Sequence, residues 1–157
     1  MPTRRVVAGT NAQGKSYIAH DGPIPGTSNR GGAVDVNNIW VDDPANPDPT
    51  AARDPVDTET WRRDPPPNGS TMRVVTFPPH YPAVNPSRED LGWHTTPTID
   101  YGIVLSGEME VGLDEGVVRL GPGDVYVLLG ANHAWRVPGD EPCTMAVIRI
   151  ATPNYQA

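Results

Sequence analysis

The sequence is poor in the residues on which several protein classes depend. Cys143 is the only cysteine among 157 residues, which excludes an intramolecular disulfide and a cysteine-based zinc cage. Its position just before the apolar run 145–150 favours a buried structural thiol over a nucleophile. The chain has no run of about 18 apolar residues, and its N-terminus lacks the apolar segment of a signal peptide. We therefore expect a soluble, cytoplasmic protein that has no membrane partner.

Positive charge is also sparse. Twelve Lys and Arg residues against nineteen Asp and Glu residues give a formal net charge of -7, and the basic runs do not exceed the pairs Arg4-Arg5 and Arg62-Arg63. A protein that binds nucleic acid or an anionic membrane surface usually carries a basic patch or stripe. We therefore expect small-molecule partners and no nucleic acid.

Helix is the third feature that the composition disfavours. Nineteen prolines and sixteen glycines are too many for a helical protein, because proline removes a backbone donor and glycine readily ends regular structure. The prolines concentrate between Asp43 and Pro67, which predicts an irregular surface excursion, either a lid or a mobile loop. The length fits one domain with a single core.

Short β-rich runs separated by Gly, Pro or Asp turns fill the remainder of the chain. Two of them, Ser16–His20 and Asn37–Val41, precede the excursion. The runs that follow the excursion are spaced as in a jelly roll. The later runs are Met72–Phe77, Ile99–Leu105, Glu108–Leu113, Val117–Leu120, Asp124–Leu129, His133–Val137 and Thr144–Ile150.

Three turns between these runs are predicted to close hairpins. They are Ser106-Gly107, Asp114 to Gly116, and the Gly-Pro-Gly-Asp sequence from Gly121 to Asp124. A turn role accounts for their composition without any function.

The segment from Gly92 to Gly107, with the sequence GWHTTPTIDYGIVLSG, resembles the first motif of the cupin family. In that motif two histidines, a glutamate and a closing glycine follow at fixed spacing, and the polar residues point into a small β-barrel. His94 takes the place of the first histidine and Gly107 that of the glycine. Thr96 stands where the second histidine is expected, and Asp100 replaces the glutamate.

The segment from Gly123 to His133 resembles the second cupin motif, although it is one residue shorter. Leu129 stands in place of its proline and Val137 in place of its final asparagine, while Gly130 and His133 keep their mutual spacing. The resemblance covers residues 70–151. It implies an all-β double-stranded β-helix, or jelly-roll barrel, at 71–157, with an N-terminal arm and Pro-rich loop at 1–70 packed on it. Small cupins of this kind imply a homodimer as well.

Side chains alternate between the faces of a strand, so one face of the extended segment carries four polar residues. They are His94, Thr96, Thr98 and Asp100. Burying such a row without partners is costly, which favours a wet or liganded cavity over a packed core. Tyr101 has the opposite parity to Asp100 and is expected on the outer face, and Tyr126 is interpreted in the same way.

Under the cupin topology His133 faces His94 and Asp100, and two chemical interpretations stay open. As metal ligands, His94, Asp100 and His133 would hold Fe(II), Mn(II), Ni(II) or Zn(II). Without a metal, the same three residues would act as a general acid/base set. The alternative without function is that they only satisfy one another's hydrogen bonds. Thr96, Thr98 and Trp135 are the candidate substrate-binding residues, since ligand pockets combine apolar walls with a few polar groups.

Three functions are compatible with these residues. The first is a small-molecule lyase or isomerase, of dehydratase, decarboxylase or cyclase type, which the resemblance places among the accessory enzymes of secondary metabolism. The second is an Fe(II)-dependent cupin dioxygenase, and the third is a non-catalytic ligand-binding cupin.

Overall fold

The computed structural model describes residues 3–25, 33–56, 63–82 and 92–152. Within these ranges the chain forms ten strands and no helix, as the composition predicted. The strands are β1 (Arg4–Thr10), β2 (Ser16–Pro23), β3 (Asp35–Asp42), β4 (Ser70–Phe77), β5 (Thr98–Ser106), β6 (Met109–Leu113), β7 (Gly116–Leu120), β8 (Val125–Leu129), β9 (His133–Arg136) and β10 (Cys143–Ala151).

Two sheets enclose the core. The larger has the order β3-β4-β10-β5-β8 and the smaller the order β7-β6-β9, and all the pairings are antiparallel. Strands of both sheets contribute to one cluster of buried apolar side chains, among them Val75 of β4, Val104 of β5 and Met109 of β6. The predicted all-β jelly-roll barrel is confirmed.

The nine predicted strands are all present, most of them extended by one to three residues. Strand β1 was not predicted, and its burial pattern explains why. Its buried positions are Arg5 and Gly9, so it lacks the apolar alternation by which a strand is recognised in a sequence. It pairs with β2 as a separate two-stranded sheet.

One of the three hairpin predictions is confirmed and two are wrong. Leu113 pairs with Gly116 across the Asp114-Glu115 turn between β6 and β7. Strands β5 and β6 belong to different sheets, as do β7 and β8, so the other two turns carry the chain across the barrel. The predicted turn at Gly121 is present, and the Asp124 N–H donates to the Gly121 carbonyl at 3.0 Å. Turn residues reveal where a chain bends, but the sheet that the next strand joins depends on the whole topology.

The N-terminal segment makes contacts of two kinds, one with the barrel and one with the Pro-rich excursion. Strand β3 pairs with β4 and forms an edge of the larger sheet. The β1–β2 hairpin packs on the first part of the Pro-rich excursion, through an ion pair of Arg5 with Asp54 and a 2.7 Å hydrogen bond from the Tyr17 hydroxyl to the Thr50 carbonyl. Residues 43–56 and 63–67 of the excursion contain no strand, and residues 57–62 lie outside the described ranges.

Two smaller expectations concern Cys143 and membranes. The Cys143 thiol is fully buried, and burial raises its pKa, as expected for a structural cysteine. Across the residues that the structure describes, there is no helix with the length and apolar character needed to cross a membrane.

Candidate active site

The polar row predicted before and within β5 lies on the inner side of the barrel. Thr96, Thr98 and Asp100 are buried, and the Thr98 hydroxyl lies 2.9 Å from that of Thr96 and 2.5 Å from Asp100 Oδ1. Because a hydroxyl has a single hydrogen, Thr98 donates to the Asp100 carboxylate and accepts from Thr96. The three side chains form one hydrogen-bonded chain along the wall.

His94 and His133 are held together by the backbone. The N–H of each residue donates to the carbonyl of the other, at 3.1 Å from His94 and 3.0 Å from His133. This isolated bridge joins the segment before β5 to the start of β9. The two imidazole centroids are 4.4 Å apart as a result.

The surrounding carbonyl groups determine which ring nitrogen carries hydrogen. Nδ1 of His94 lies 2.8 Å from the Gly92 carbonyl oxygen, and Nδ1 of His133 lies 2.8 Å from that of Ala131. A carbonyl oxygen can only accept, so each Nδ1 carries the hydrogen. In the neutral rings the lone pair is then on Nε2, the nitrogen available to accept a proton or bind a ligand.

The environment of His133 favours this neutral form. Burial lowers the pKa of His133 below its ordinary value, and the neighbouring charges of His94 and Arg149 act in the same direction. The carbonyl of Ala131 and the carboxylate of Asp100 oppose the shift without reversing it. His133 is therefore a base, rather than a cation, at neutral pH.

Asp100 is paired with an arginine and not with the imidazoles. Its carboxylate lies 3.4 Å from Nε of Arg149, the residue directly opposite it on β10. Within the described residues no group of three His, Cys, Asp or Glu side chains is arranged to hold a metal ion. The predicted triad His94, Asp100 and His133 is therefore not brought together as a three-ligand site, because the Asp100 carboxylate is paired with the Arg149 guanidinium instead.

A cavity of about 360 Å³ opens beside the histidine pair. Thr96 and Trp135 line it, whereas Thr98 is buried behind the lining, and the Trp135 ring lies 5.2 Å from that of His133. The lining as a whole consists of Val34, Val36, Arg63, Arg73, Val75, Phe77, Tyr81, His94, Thr96, Asp100, Tyr126, His133, Trp135, Met145, Val147 and Arg149. Apolar walls with a few polar groups are typical of small-molecule sites.

Two buried arginines at the cavity were missed in the sequence analysis. Arg73 on β4 and Arg149 on β10 are each only 6% exposed, and both donate to the backbone carbonyl of Arg63. Arg149 also forms an ion pair with Asp64 at 3.1 Å. Strand parity could have found them, since Arg149 shares its face with Met145 and Val147, the inward residues of β10.

The outward assignment is confirmed for Tyr101 and wrong for Tyr126. Tyr101 is 40% exposed, whereas Tyr126 is buried in the cavity wall. The Tyr126 ring occupies the space in which a β-carbon on Gly102 would lie, about 2.0 Å from Cζ. Strand β8 is apolar at every position from Val125 to Leu129, so alternation cannot indicate which face is inward.

Comparisons with known proteins agree with this architecture. A family model for the cupin domain matches residues 75–149. Oryzines biosynthesis cluster protein J of Aspergillus oryzae is 40% identical over 73 residues, which make up 46% of this chain and 36% of that protein. The cupin-domain-containing oxidoreductase srdB of Neurospora crassa is 30% identical over 142 residues, 87% of this chain and 67% of that protein.

Among solved structures, the cupin domain of Cnp3 from Schizosaccharomyces pombe overlaps 96% of this chain and 89% of its own, with a TM-score of 0.55. At 10% identity this likeness concerns the fold alone. The aligned part of the chain spans about a third of the length of the Aspergillus relative.

Proposed function

Because this chain belongs to the cupin family, we propose that its barrel cavity carries out acid–base chemistry on a small carbonyl compound, as a lyase or isomerase. The observation that carries the proposal is the pair of imidazoles, His94 and His133, with Nδ1 fixed by carbonyl groups and Nε2 left to accept a proton. A base held neutral by burial and placed in an apolar cavity is suited to proton abstraction next to a carbonyl group.

The reaction needs few groups. The Nε2 atom of one imidazole takes a proton from the carbon beside the substrate carbonyl, and the electron pair of that C–H bond moves onto the carbonyl oxygen. The positive charge of the cavity wall, to which Arg73 and Arg149 contribute, stabilises the resulting enolate electrostatically. In an isomerisation the electron pair of a conjugated enolate then takes the proton back from the imidazolium at another carbon. In a dehydration that pair forms a C=C bond while the C–O bond to a hydroxyl group on the next carbon breaks, and the hydroxyl takes the proton from the imidazolium and leaves as water.

The relatives supply a metabolic context. The Aspergillus protein carries the name of an oryzine biosynthesis cluster, and a relative from Diaporthe leptostromiformis that is 46% identical over 71 residues carries that of a phomopsin biosynthesis cluster. We propose by this likeness that the chain also serves secondary metabolism, on a substrate small enough for the cavity.

Proton exchange in D₂O, followed by proton NMR on a panel of small carbonyl compounds, tests the proposal without knowledge of the natural substrate. We expect the protein to accelerate exchange at the carbon beside the carbonyl. His133→Gln should lower that rate by about 10²- to 10⁴-fold, the usual contribution of a general base. His80→Gln is the matched control, because His80 is exposed and is paired with Asp140 outside the cavity. Equal rates for His133→Gln and the unchanged protein would contradict the proposal.

A second candidate, an Fe(II)-dependent oxygenase, is supported by the oxidoreductase name of the Neurospora relative. It would require iron to be held by His94 and His133 with a set of ligands that does not include Asp100 as it is now paired. Plasma mass spectrometry of protein purified without chelator separates the two candidates. Iron near one equivalent that is lost in His94→Ala/His133→Ala supports the oxygenase and argues against acid–base chemistry alone.

A third candidate, a ligand-binding cupin without catalysis, predicts no proton exchange by the unchanged protein. The cavity would then bind its ligand, and substitution of His133 would change affinity without any turnover to lose.

We also propose that the chain forms a homodimer through the outer face of the larger sheet. That face carries a contiguous set of exposed apolar side chains, in which Tyr101 lies opposite Val127 and Ile103 opposite Val125. Patches of this kind mark interaction sites on soluble proteins. Light scattering should give twice the chain mass, and Val127→Arg should return the mass to that of one chain.

A further inference from the structure

We propose that the buried arginines form a carboxylate-binding subsite, so that the ligand of this cavity is a small acid with an apolar body. The inference deepens the proposed function and rests on it for the reaction, but it concerns binding, which can be measured separately.

The charges around the cavity favour an anion. Of the described residues that line it, Arg63, Arg73 and Arg149 are cationic and Asp100 is the one carboxylate. The protein as a whole has a formal charge of -7, so this concentration of positive charge runs against its general character. It comes from Arg73 in the middle of β4, Arg149 near the end of β10 and Arg63 of the Pro-rich excursion.

Burial makes the concentration costly. Arg73 and Arg149 are almost inaccessible, and a guanidinium removed from water requires compensating negative charge or hydrogen bonds. Burial, together with the neighbouring charge of Arg149, lowers the pKa of Arg73 to about 10. The negative charges of Asp64 and Asp100 act in the opposite direction on that pKa, and a bound carboxylate would act in the same way as these two groups.

The excursion already supplies an internal carboxylate at this place. Asp64 forms its ion pair with Arg149 while its side chain stays 51% exposed, and the Arg63 carbonyl accepts hydrogen bonds from both buried arginines. Displacement of Asp64 would not leave the buried Arg149 unpaired, because the incoming carboxylate takes over the ion pair, and the half-exposed Asp64 carboxylate returns to water. A ligand carboxylate that replaces Asp64 would accept the hydrogen bond that the Arg149 guanidinium now donates to Asp64.

The geometry of arginine and the walls of the cavity define the class of ligand. A planar guanidinium matches the two oxygens of a carboxylate. The walls nearby are aromatic and aliphatic, including Phe77, Trp135 and Val147. A carboxylate at the arginines and an apolar body against these walls would bring the remainder of the molecule toward the histidine pair.

Isothermal titration with phenylacetate and its neutral amide, phenylacetamide, tests the subsite. The unchanged protein should bind the acid at least about tenfold more tightly than the amide, a preference of about 1.4 kcal/mol. Arg149→Gln and Arg73→Gln should abolish the preference. Asp64→Asn removes the internal competitor and should raise the affinity for the acid about two- to fivefold, a small effect because the Asp64 partner of the pair is half exposed.

The controls address folding and specificity. Arg63→Gln and Asp64→Asn change exposed side chains, so both are expected to fold even where a buried arginine cannot be replaced, and Arg63→Gln should weaken binding of the acid. Asp21→Asn removes the exposed carboxylate of another Arg–Asp pair, with Arg4, and should change nothing. Equal affinities for acid and amide, or no binding of either to the unchanged protein and to Asp64→Asn, overturn the proposal.

One further variant separates this inference from the proposed function. His133→Gln should keep the preference for the acid while it loses proton exchange. If exchange is absent from the unchanged protein and the preference is present, the subsite stands and the proposed reaction does not. If exchange is present without the preference, the proposed reaction stands and the subsite does not.

Discussion

The two ends of the barrel interior differ in chemistry, although the same strands build both. At one end the inward residues are Val104 of β5 and Cys143 of β10, and they are packed and apolar, while Met145 of β10 belongs both to this packed cluster and to the cavity wall. At the other end the same two strands present Asp100 and Arg149. The antiparallel register of β5 and β10 places polar residues beside polar residues and apolar beside apolar, because Asp100 lies opposite Arg149 and Val104 opposite Met145.

This division shows how a chain of 157 residues can support both a core and a cavity. The apolar end supplies the burial on which folding depends. The polar end carries groups whose burial costs free energy, and it is stabilised by hydrogen bonds and ion pairs within the wall. Substitutions at the two ends should therefore have different consequences.

The largest effect on stability is expected from a substitution that leaves an unfilled space at the packed, apolar end. Met109 is 0% exposed, so Met109→Ala should lower the free energy of unfolding by about 2–5 kcal/mol through lost burial and an unfilled space. Urea unfolding followed by circular dichroism measures the change. Val117→Ala, at an exposed position of β7, should cost no more than about 0.5 kcal/mol. Similar losses for the two variants would mean that the apolar end is not the main source of stability.

An intermediate effect is expected at the boundary between the two ends. Gly102→Ala would place a β-carbon in the Tyr126 ring and should cost about 1–3 kcal/mol by overpacking. Gly22→Ala has open space around it and serves as the control. Adding Tyr126→Leu to Gly102→Ala should recover part of the loss, and no recovery would show that the ring is not the cause.

The smallest effect is expected at the polar end, as a change in pH dependence. Burial lowers the pKa of His133 in the folded state, so below its unfolded value of about 6.5 the unfolded chain binds more protons than the folded chain. The contribution of His133 to stability is therefore complete above that value and is lost as the pH falls toward the folded pKa. His133→Gln should flatten this part of a plot of unfolding free energy against pH, whereas His80→Gln should keep its slope. An unchanged slope in His133→Gln would assign the dependence to other groups.

Sequence reasoning predicted the strands in which apolar and polar residues alternate. It missed strand β1 and the assignment of strands to sheets, because alternation indicates neither. The strands that build the barrel, β3 to β10, were predicted because their apolar residues recur with period two or lie between clear turns. Strand β1 was missed because its buried positions are Arg5 and Gly9. The sheet that each strand joins could not be predicted from turn residues, which explains the two wrong hairpins.

The candidate site was predicted in part for similar reasons. Motif spacing found His94, Asp100 and His133, and the structure brings the histidines together. The partner of Asp100 was missed because Arg149 is a single charge in an apolar strand, more than forty positions away in sequence. A motif records spacing along the chain, whereas a salt bridge between neighbouring strands depends on their register.

The bridge between His94 and His133 has a consequence for the evolution of the site. Both of its hydrogen bonds are made by main-chain atoms, so they do not depend on which side chains the two residues carry. A mutation at either position changes the chemistry at the cavity and leaves the spacing of the two positions intact. Single substitutions can thus present different side chains to the cavity, without first having to rebuild the scaffold that holds the two positions.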